Sequence, residues 1–252
     1  MGFLRALYRY AFLVVWTTSF AVAYGVLWPV TKYPERRRRA LRRVMLRGWA
    51  AGIAFAWGIR VEMHGPVPKR PFFIVANHIS YLDVLMLVRC TGCIFVARGD
   101  VASWPVIGFL FRSIHVMFID RTDKRDTMRV NELIHHALSL DDCVGVFAES
   151  RISRGIDVEP FKSALIQPAI ANHIPVHYAT ITYKSLPGAT PAWQVVNWWQ
   201  PIPFSRHLWR VLACRGFTTV VHFGEAPLFG EDRKVLARQL RDAVRARFVP
   251  VQ

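Results

Sequence analysis

Residues 10–30 carry no charged side chain, which limits how the N-terminal part of this chain can fold. As a helix the stretch is about 30 Å long, the thickness of a bilayer's hydrocarbon core. Trp28 near one end, and Tyr8 and Tyr10 near the other, suit the two interfacial zones. Without a small-residue cleavage site it reads as a retained membrane element rather than a removable leader, the alternative being a buried core helix. After it come Lys32, Arg36, Arg37, Arg38, Arg39, Arg42, Arg43 and Arg47, opposed only by Glu35. The positive-inside tendency puts this cluster on the cytoplasmic side, where each basic residue near an anionic surface contributes on the order of 1 kcal/mol. Arg5 and Arg9 place charge on the other flank. Residues 44–59 are apolar, with Trp49 and Trp57, but Gly48 and Gly52 interrupt them and they are short for a second span. A helical pair is expected, either one span plus an interfacial helix or a pair dipping into one leaflet.

The whole chain has 252 residues and a formal net charge of +16, which suits one sizeable α/β domain with a short appendage and anionic partners. No zinc-finger, homeodomain or RNP-type signature accompanies the arginine run, so nucleic acid is not expected among those partners. Cys90 and Cys93 form a C-x2-C with no second pair at zinc spacing, and Cys143 and Cys214 stand alone. All four read as reduced thiols in a cytosol-facing protein, with no metal site.

Beyond residue 59, β-rich runs alternate with helical patterns. Strands are expected over 60–63, 72–75, 94–97, 116–119, 144–147, 176–182 and 218–223. Helices are expected over 126–139, 161–172, 206–214 and 232–248. The alternation implies an α/β fold, a mostly parallel sheet flanked by helices, preceded by the membrane-associated helical segment. Residues 1–59 are expected to form the anchoring part and 60–252 the globular α/β domain. In the last helix Val235, Leu236, Leu240, Val244 and Phe248 make the packing face, opposite Arg238, Arg241 and Arg245. Functional groups in such sheets gather beyond the carboxyl ends of the strands, where His78, Arg121 and Glu149 fall.

Asn77-His78-Ile79-Ser80-Tyr81-Leu82-Asp83 follows the apolar run Phe72-Phe73-Ile74-Val75-Ala76. A histidine oriented by a carboxylate can take a proton from a hydroxyl at neutral pH. Ser80 to Asp83 has capping-box spacing, making Ser80 the expected N-cap and leaving His78 in the turn before the helix. Only that placement brings the two side chains together, since residues five apart on one helix point about 140° apart. Backbone N–H groups at the helix start and around Glu149 are candidate donors to a developing oxyanion.

Asn77-His78-x4-Asp83 resembles the first block of the glycerolipid acyltransferase family. Arg98-Gly99-Asp100 through Trp104-Pro105-Val106-Ile107-Gly108 to Phe118-Ile119-Asp120-Arg121 resembles the second. Phe147-Ala148-Glu149-Ser150-Arg151, with Pro160-Phe161-Lys162-Ser163-Ala164 after it, resembles the third, and Ile174-Pro175-Val176 into Ile181-Thr182-Tyr183 the fourth. The resemblance implies acyl transfer from acyl carrier protein or coenzyme A thioester to a lysolipid hydroxyl, with no cofactor and with membrane phospholipid as the surroundings. His78 would be the general base and Asp83 its orienting carboxylate. Arg121, Glu149, Arg98, Arg151, Asn77 and Ser150 would form the substrate-binding side. The family's usual Pro, Gly and Thr in the third block are Ala148, Ser150 and Arg151 here, which leaves the acceptor open between 1-acylglycerol-3-phosphate and a lipid such as lyso-ornithine lipid. A non-catalytic protein that binds anionic lipid is the alternative from another class. The expected location is a bacterial inner membrane, with the catalytic domain on its cytoplasmic face.

Overall fold

The computed structural model describes residues 1–27, 34–99, 116–119 and 123–251. Seven strands among these residues form one sheet: β1 (Ile59–His64), β2 (Phe72–Ala76), β3 (Ile94–Arg98), β4 (Met117–Ile119), β5 (Cys143–Phe147), β6 (Val176–Ser185) and β7 (Phe217–Phe223). Their order is β1-β7-β6-β2-β5-β3-β4, parallel everywhere except between β6 and β7. Every expected strand is present, with its ends moved by a residue or a few. β2 and β5 are buried along their whole length, which is why Phe72-Phe73-Ile74-Val75-Ala76 and Cys143-Val144-Gly145-Val146-Phe147 read as continuous apolar runs.

Helices cover both faces: α1 (Gly2–Leu27), α2 (Glu35–Ala56), α3 (Leu82–Thr91), α4 (Lys124–Ser139), α5 (Gln167–Ala171), α6 (Ala192–Val195), α7 (Phe204–Ala213) and α8 (Arg233–Arg245). Side chains alternate across the sheet, so Phe72, Ile74 and Ala76 join one core with α1, α2, α3 and α7, while Phe73 and Val75 join the other with α4, α5 and α8. The helix expected over 161–172 is instead a 3₁₀ turn (Ser163–Leu165) followed by the short α5, because Pro168 has no N–H and is accommodated only in a first turn. On α8, Leu236, Leu240 and Val244 are buried but Val235 is exposed. The basic side of that helix is partly engaged, Arg241 donating to the Val158 carbonyl (3.0 Å) and Arg245 to Asp157 (2.8 Å).

The N-terminal helices do pair, and the two glycines that interrupt the second hydrophobic stretch form the seam. A Cβ on Gly52 would lie 2.5 Å from the Trp16 indole, and one on Gly48 3.6 Å from the Phe20 ring. Small residues of this kind let two helices approach closely. Trp16 Nε1 donates to the Trp49 carbonyl and Trp49 Nε1 to Thr17 Oγ1, each at 3.1 Å. Among the described residues α1 is the one helix long and apolar enough to cross a membrane, and Leu4, Leu7, Val14, Val15, Val22 and Val26 line its exposed side. Trp28 lies outside the described residues.

Two charge expectations change. Arg9 is not a flanking charge but is buried, donating to the carbonyls of Ala56 (3.1 Å) at the end of α2 and of Leu212 (3.1 Å) and Cys214 (2.7 Å) at the end of α7. A cation there satisfies the carbonyls that two helix ends leave unpaired. The arginine cluster is likewise only partly available to an external surface. Arg39 (2.9 Å), Arg43 (3.3 Å) and Arg42 converge on the fully buried Asp142, at the start of β5. Burial opposes the charge on Asp142, but Arg42 and Arg39 outweigh it and hold the carboxyl below its usual range. The cysteines are free thiols, Cys90, Cys93 and Cys143 buried and Cys214 half-buried.

Candidate active site

The site begins where the β2 ladder ends. Asn77 is fully buried, its Nδ2 donating to the Ile181 carbonyl (2.9 Å) and its Oδ1 accepting from the Ile181 N–H (2.8 Å). The side chain thus continues the pairing of β2 with β6 past Ala76, so Asn77 positions the turn rather than presenting a free amide to a substrate. His78 is the next residue.

The imidazole and the carboxylate meet as their spacing requires. His78 Nδ1 lies 2.8 Å from Asp83 Oδ2, with the ring in the turn and the carboxylate in the first turn of α3. Oδ2 also accepts from the N–H groups of Ile79 (2.7 Å) and Ser80 (2.9 Å). A carboxylate so placed can only accept, so Nδ1 carries the proton and Nε2 is left with a free lone pair. The helix begins at Leu82 with Tyr81 in the N-cap position, one residue later than the capping box implies. Ser80 Oγ still accepts from the Leu82 N–H (3.3 Å). The N–H groups of Ile79, Ser80 and Leu82 are engaged within the turn.

Asp83 Oδ1 has a separate partner, Tyr183 on β6, whose hydroxyl donates to it at 2.5 Å. Burial, reinforced by the Asp83 charge, pushes the phenol above its ordinary range, so Tyr183 remains a donor. Sequence reasoning missed this residue. Its one signal is a phenol inside a strand whose neighbours Ile181 and Thr182 are also buried, where a hydroxyl requires a partner.

The loop after β5 closes the other side. Glu149 is buried, and its Oε1 accepts the His78 N–H at 3.0 Å. Burial pushes its carboxyl up to about 8, against the effect of that hydrogen bond and with the Asp83 charge adding to the rise. Phe147 stacks on the His78 ring with centroids 4.1 Å apart, and Phe95 stacks beneath Phe147 at 5.3 Å. Gly145 makes room for this column, since a Cβ there would come within 2.6 Å of the Phe95 ring. Ser150 adopts φ +69°, the left-handed conformation that a glycine would take without strain. Arg151 points outward, 73% exposed, and pairs with Glu159 at 3.3 Å.

The structure therefore brings His78, Asp83 and Glu149 together, holds Asn77 behind them, and places Ser150 and Arg151 on the adjoining loop. Arg98 ends β3 with its side chain outside the described part of the structure. Asp100, residues 104–108, Asp120 and Arg121 lie outside the described residues.

The chain is similar to known proteins over most of its length. The sequence model of the Acyltransferase family matches residues 58–183, the stretch that holds His78, Asp83, Glu149 and Tyr183. The chain is 30% identical to the 1-acyl-sn-glycerol-3-phosphate acyltransferase of Neisseria meningitidis, over 84% of this chain and 82% of that one. It is 32% identical to the lyso-ornithine lipid O-acyltransferase of Rhodobacter capsulatus, over 75% of this chain and 70% of that one. In fold it is similar to the crystal structure of the 1-acyl-sn-glycerophosphate (LPA) acyltransferase from Thermotoga maritima, with a TM-score of 0.68 at 16% identity, covering 96% of this chain and 93% of that one. A family match spanning half the chain, with relatives about 30% identical over most of it, shows that this protein is an enzyme of the acyltransferase family.

Proposed function

We propose that the enzyme transfers an acyl group from a thioester to the free hydroxyl of 1-acylglycerol-3-phosphate, giving phosphatidic acid, at the cytoplasmic face of a membrane. The observation that carries the chemistry is the His78 ring, fixed through Nδ1 by Asp83 and left free at Nε2. Nε2 takes the hydroxyl proton as the oxygen attacks the thioester carbonyl. The carbon–sulfur bond then breaks, and the imidazolium returns the proton to the departing thiolate. General-base assistance of this kind is worth roughly 10²- to 10⁴-fold in rate. Asp83 keeps the ring in the productive tautomer and stabilises its protonated form, and the donor is acyl carrier protein or coenzyme A thioester. The thioester supplies the activation, so the transfer balances without a cofactor. Arg121 and Arg98 are the groups proposed to meet the acceptor's phosphate, through the bidentate geometry an arginine offers, whereas Arg151 is turned outward to Glu159.

A second acceptor, lyso-ornithine lipid, is favoured by the altered third block, where Ser150 occupies the left-handed position and Arg151 is paired outward, and by the Rhodobacter relative. Membranes containing wild type or His78→Ala, offered both lysolipids side by side, decide between them. Transfer to lysophosphatidate that the variant loses supports the first reading, and transfer only to lyso-ornithine lipid replaces it with the second. Undiminished transfer by His78→Ala refutes the general-base assignment.

A further inference from the structure

Residues 191–210 carry three tryptophans on the protein surface. Trp193, Trp199 and Trp209 are 47%, 40% and 38% exposed. α7 within this stretch is two-faced, with His207, Val211 and Leu212 buried and Arg206, Trp209 and Arg210 outward. The outward three fall at i, i+3 and i+4, so they form one stripe.

Contacts place the three rings on one stretch of surface, and Trp198, next to Trp199, packs on Phe204 at the start of α7 with ring centroids 5.6 Å apart. Phe3 at the start of α1 packs against Trp209, with ring centroids 5.6 Å apart. Arg210 donates to the carbonyl of Gln194 (3.1 Å), which brings the stripe beside Trp193. The Arg154 guanidinium lies 4.3 Å over the Trp199 ring, linking that tryptophan to the loop that follows Glu149. The surface therefore runs from the first turn of α1, beside exposed Leu4 and Tyr8, to the edge of the active site.

Behind it, a packed aromatic box connects the surface to the reactive turn. Tyr81, between His78 and Asp83, packs edge-on against Trp198 (5.5 Å), Phe204 (5.0 Å) and His207 (5.5 Å). The Tyr81 hydroxyl lies 3.2 Å from His207 Nδ1, and His207 Nε2 lies 3.2 Å from the Asn197 carbonyl. Burial holds His207 down to about 4, so at neutral pH Nε2–H donates to Asn197 and Nδ1 accepts from Tyr81.

We propose that the surface formed by Trp193, Trp199 and Trp209, with Arg154, Arg206 and Arg210 among its rings, rests in the headgroup interface of an anionic phospholipid bilayer and sets the reactive turn at that depth. Tryptophan favours this zone because its ring is apolar and its N–H polar, and each interleaved arginine adds on the order of 1 kcal/mol on an anionic surface. Continuity with α1, the chain's candidate membrane helix, favours a bilayer over a protein partner as the occupant. The inference rests on the lysolipid reading only in supposing that the acceptor comes from a membrane.

The test uses the full chain in a Cys214→Ser background, because the other native thiols are buried. Trp193→Cys and Trp199→Cys are labelled with an environment-sensitive fluorophore and bound to phosphatidylglycerol–phosphatidylcholine vesicles. Phe229→Cys serves as control, since Phe229 is 66% exposed and follows β7, whose carboxyl end lies at the rim opposite that of β2. The expected result is a blue shift and quenching by shallow spin-labelled lipid at 193 and 199, with neither at 229. Labels at 193 and 199 that behave like the 229 label, on vesicles that still carry the protein, overturn the proposal. In a second arm, the double variant Trp193→Ser, Trp199→Ser is expected to lose several-fold in turnover of vesicle-presented lysolipid while keeping turnover of a monomeric short-chain analogue. Equal loss on both also overturns it. Absence of turnover on either lysolipid by wild type would refute the acceptor assignment alone, because the depth measurement needs no catalysis.

Discussion

Tyr183→Phe removes one oxygen atom from a residue that is 1% exposed and leaves its packing against Phe217 intact. Among the described residues that oxygen is the hydrogen-bond partner of Asp83 Oδ1, while the other Asp83 partners gather on Oδ2. A hydrogen bond to a charged group contributes about 1.5–3 kcal/mol, and here its loss leaves a carboxylate oxygen buried without a donor. At about 2–4 °C per kcal/mol for a chain of this size, Tm is expected to fall by about 3–12 °C. If the same free energy is lost in the transition state, kcat drops about 10- to 150-fold while KM barely moves, since Tyr183 touches no substrate. Thermal unfolding in detergent and acyl transfer to a lysolipid measure the two effects. The double variant with Asp83→Asn supplies the decisive comparison, because residues acting through one another are not additive. Wild-type Tm and kcat in Tyr183→Phe, or full additivity with Asp83→Asn, would refute a positioning role for the tyrosine.

Glu149 gives a pH dependence of known sign. Its carboxyl titrates near 8 in the fold and near 4.5 when exposed, so the folded state holds a proton that the unfolded chain has lost. Stability from this group therefore falls as pH rises from about 4.5 to about 8, and Glu149→Gln should flatten that decline in urea titrations across the range. Asp142→Ala leaves Arg39, Arg42 and Arg43 facing one another without their shared counter-charge, and a loss of about 3–5 kcal/mol is expected in denaturant unfolding. Gly52→Ala should displace Trp16 and loosen the α1–α2 pair, read as faster proteolysis between the two helices with the catalytic domain intact. Unchanged cleavage would mean that the seam accommodates a methyl group.

What could be read from the sequence follows from how far apart the interacting residues lie. β2 and β5 announce themselves as unbroken apolar runs because both of their faces are buried, and His78 and Asp83 because one turn separates them. Tyr183 and Asn77 do not, because their partners lie a hundred or more residues away and no local pattern encodes the register that brings β6 beside β2. The reversed direction of β7 relative to β6 is equally silent, since alternation of burial is the same for either direction. The arginine cluster misled for the same reason. Its counter-charge, Asp142, sits at the mouth of a distant strand, and an arginine that neutralises a buried carboxylate looks identical in sequence to one facing lipid. Ser150 shows the reverse case: a side chain that predicts against the left-handed conformation adopts it because the surrounding loop is fixed on both sides, by Ala148 to Lys162 and by Ser153 to His78.

The Arg9 clasp gives the apolar helix a mechanical character. A hydrophobic segment on a flexible leash would merely raise the enzyme's concentration near lipid and let the reactive turn swing through many attitudes. Here the guanidinium grips the ends of α2 and α7 at once, so the helix and the sheet move as one lever. The first helix, far in sequence from any reacting atom, is thereby fixed in attitude relative to the domain that carries His78.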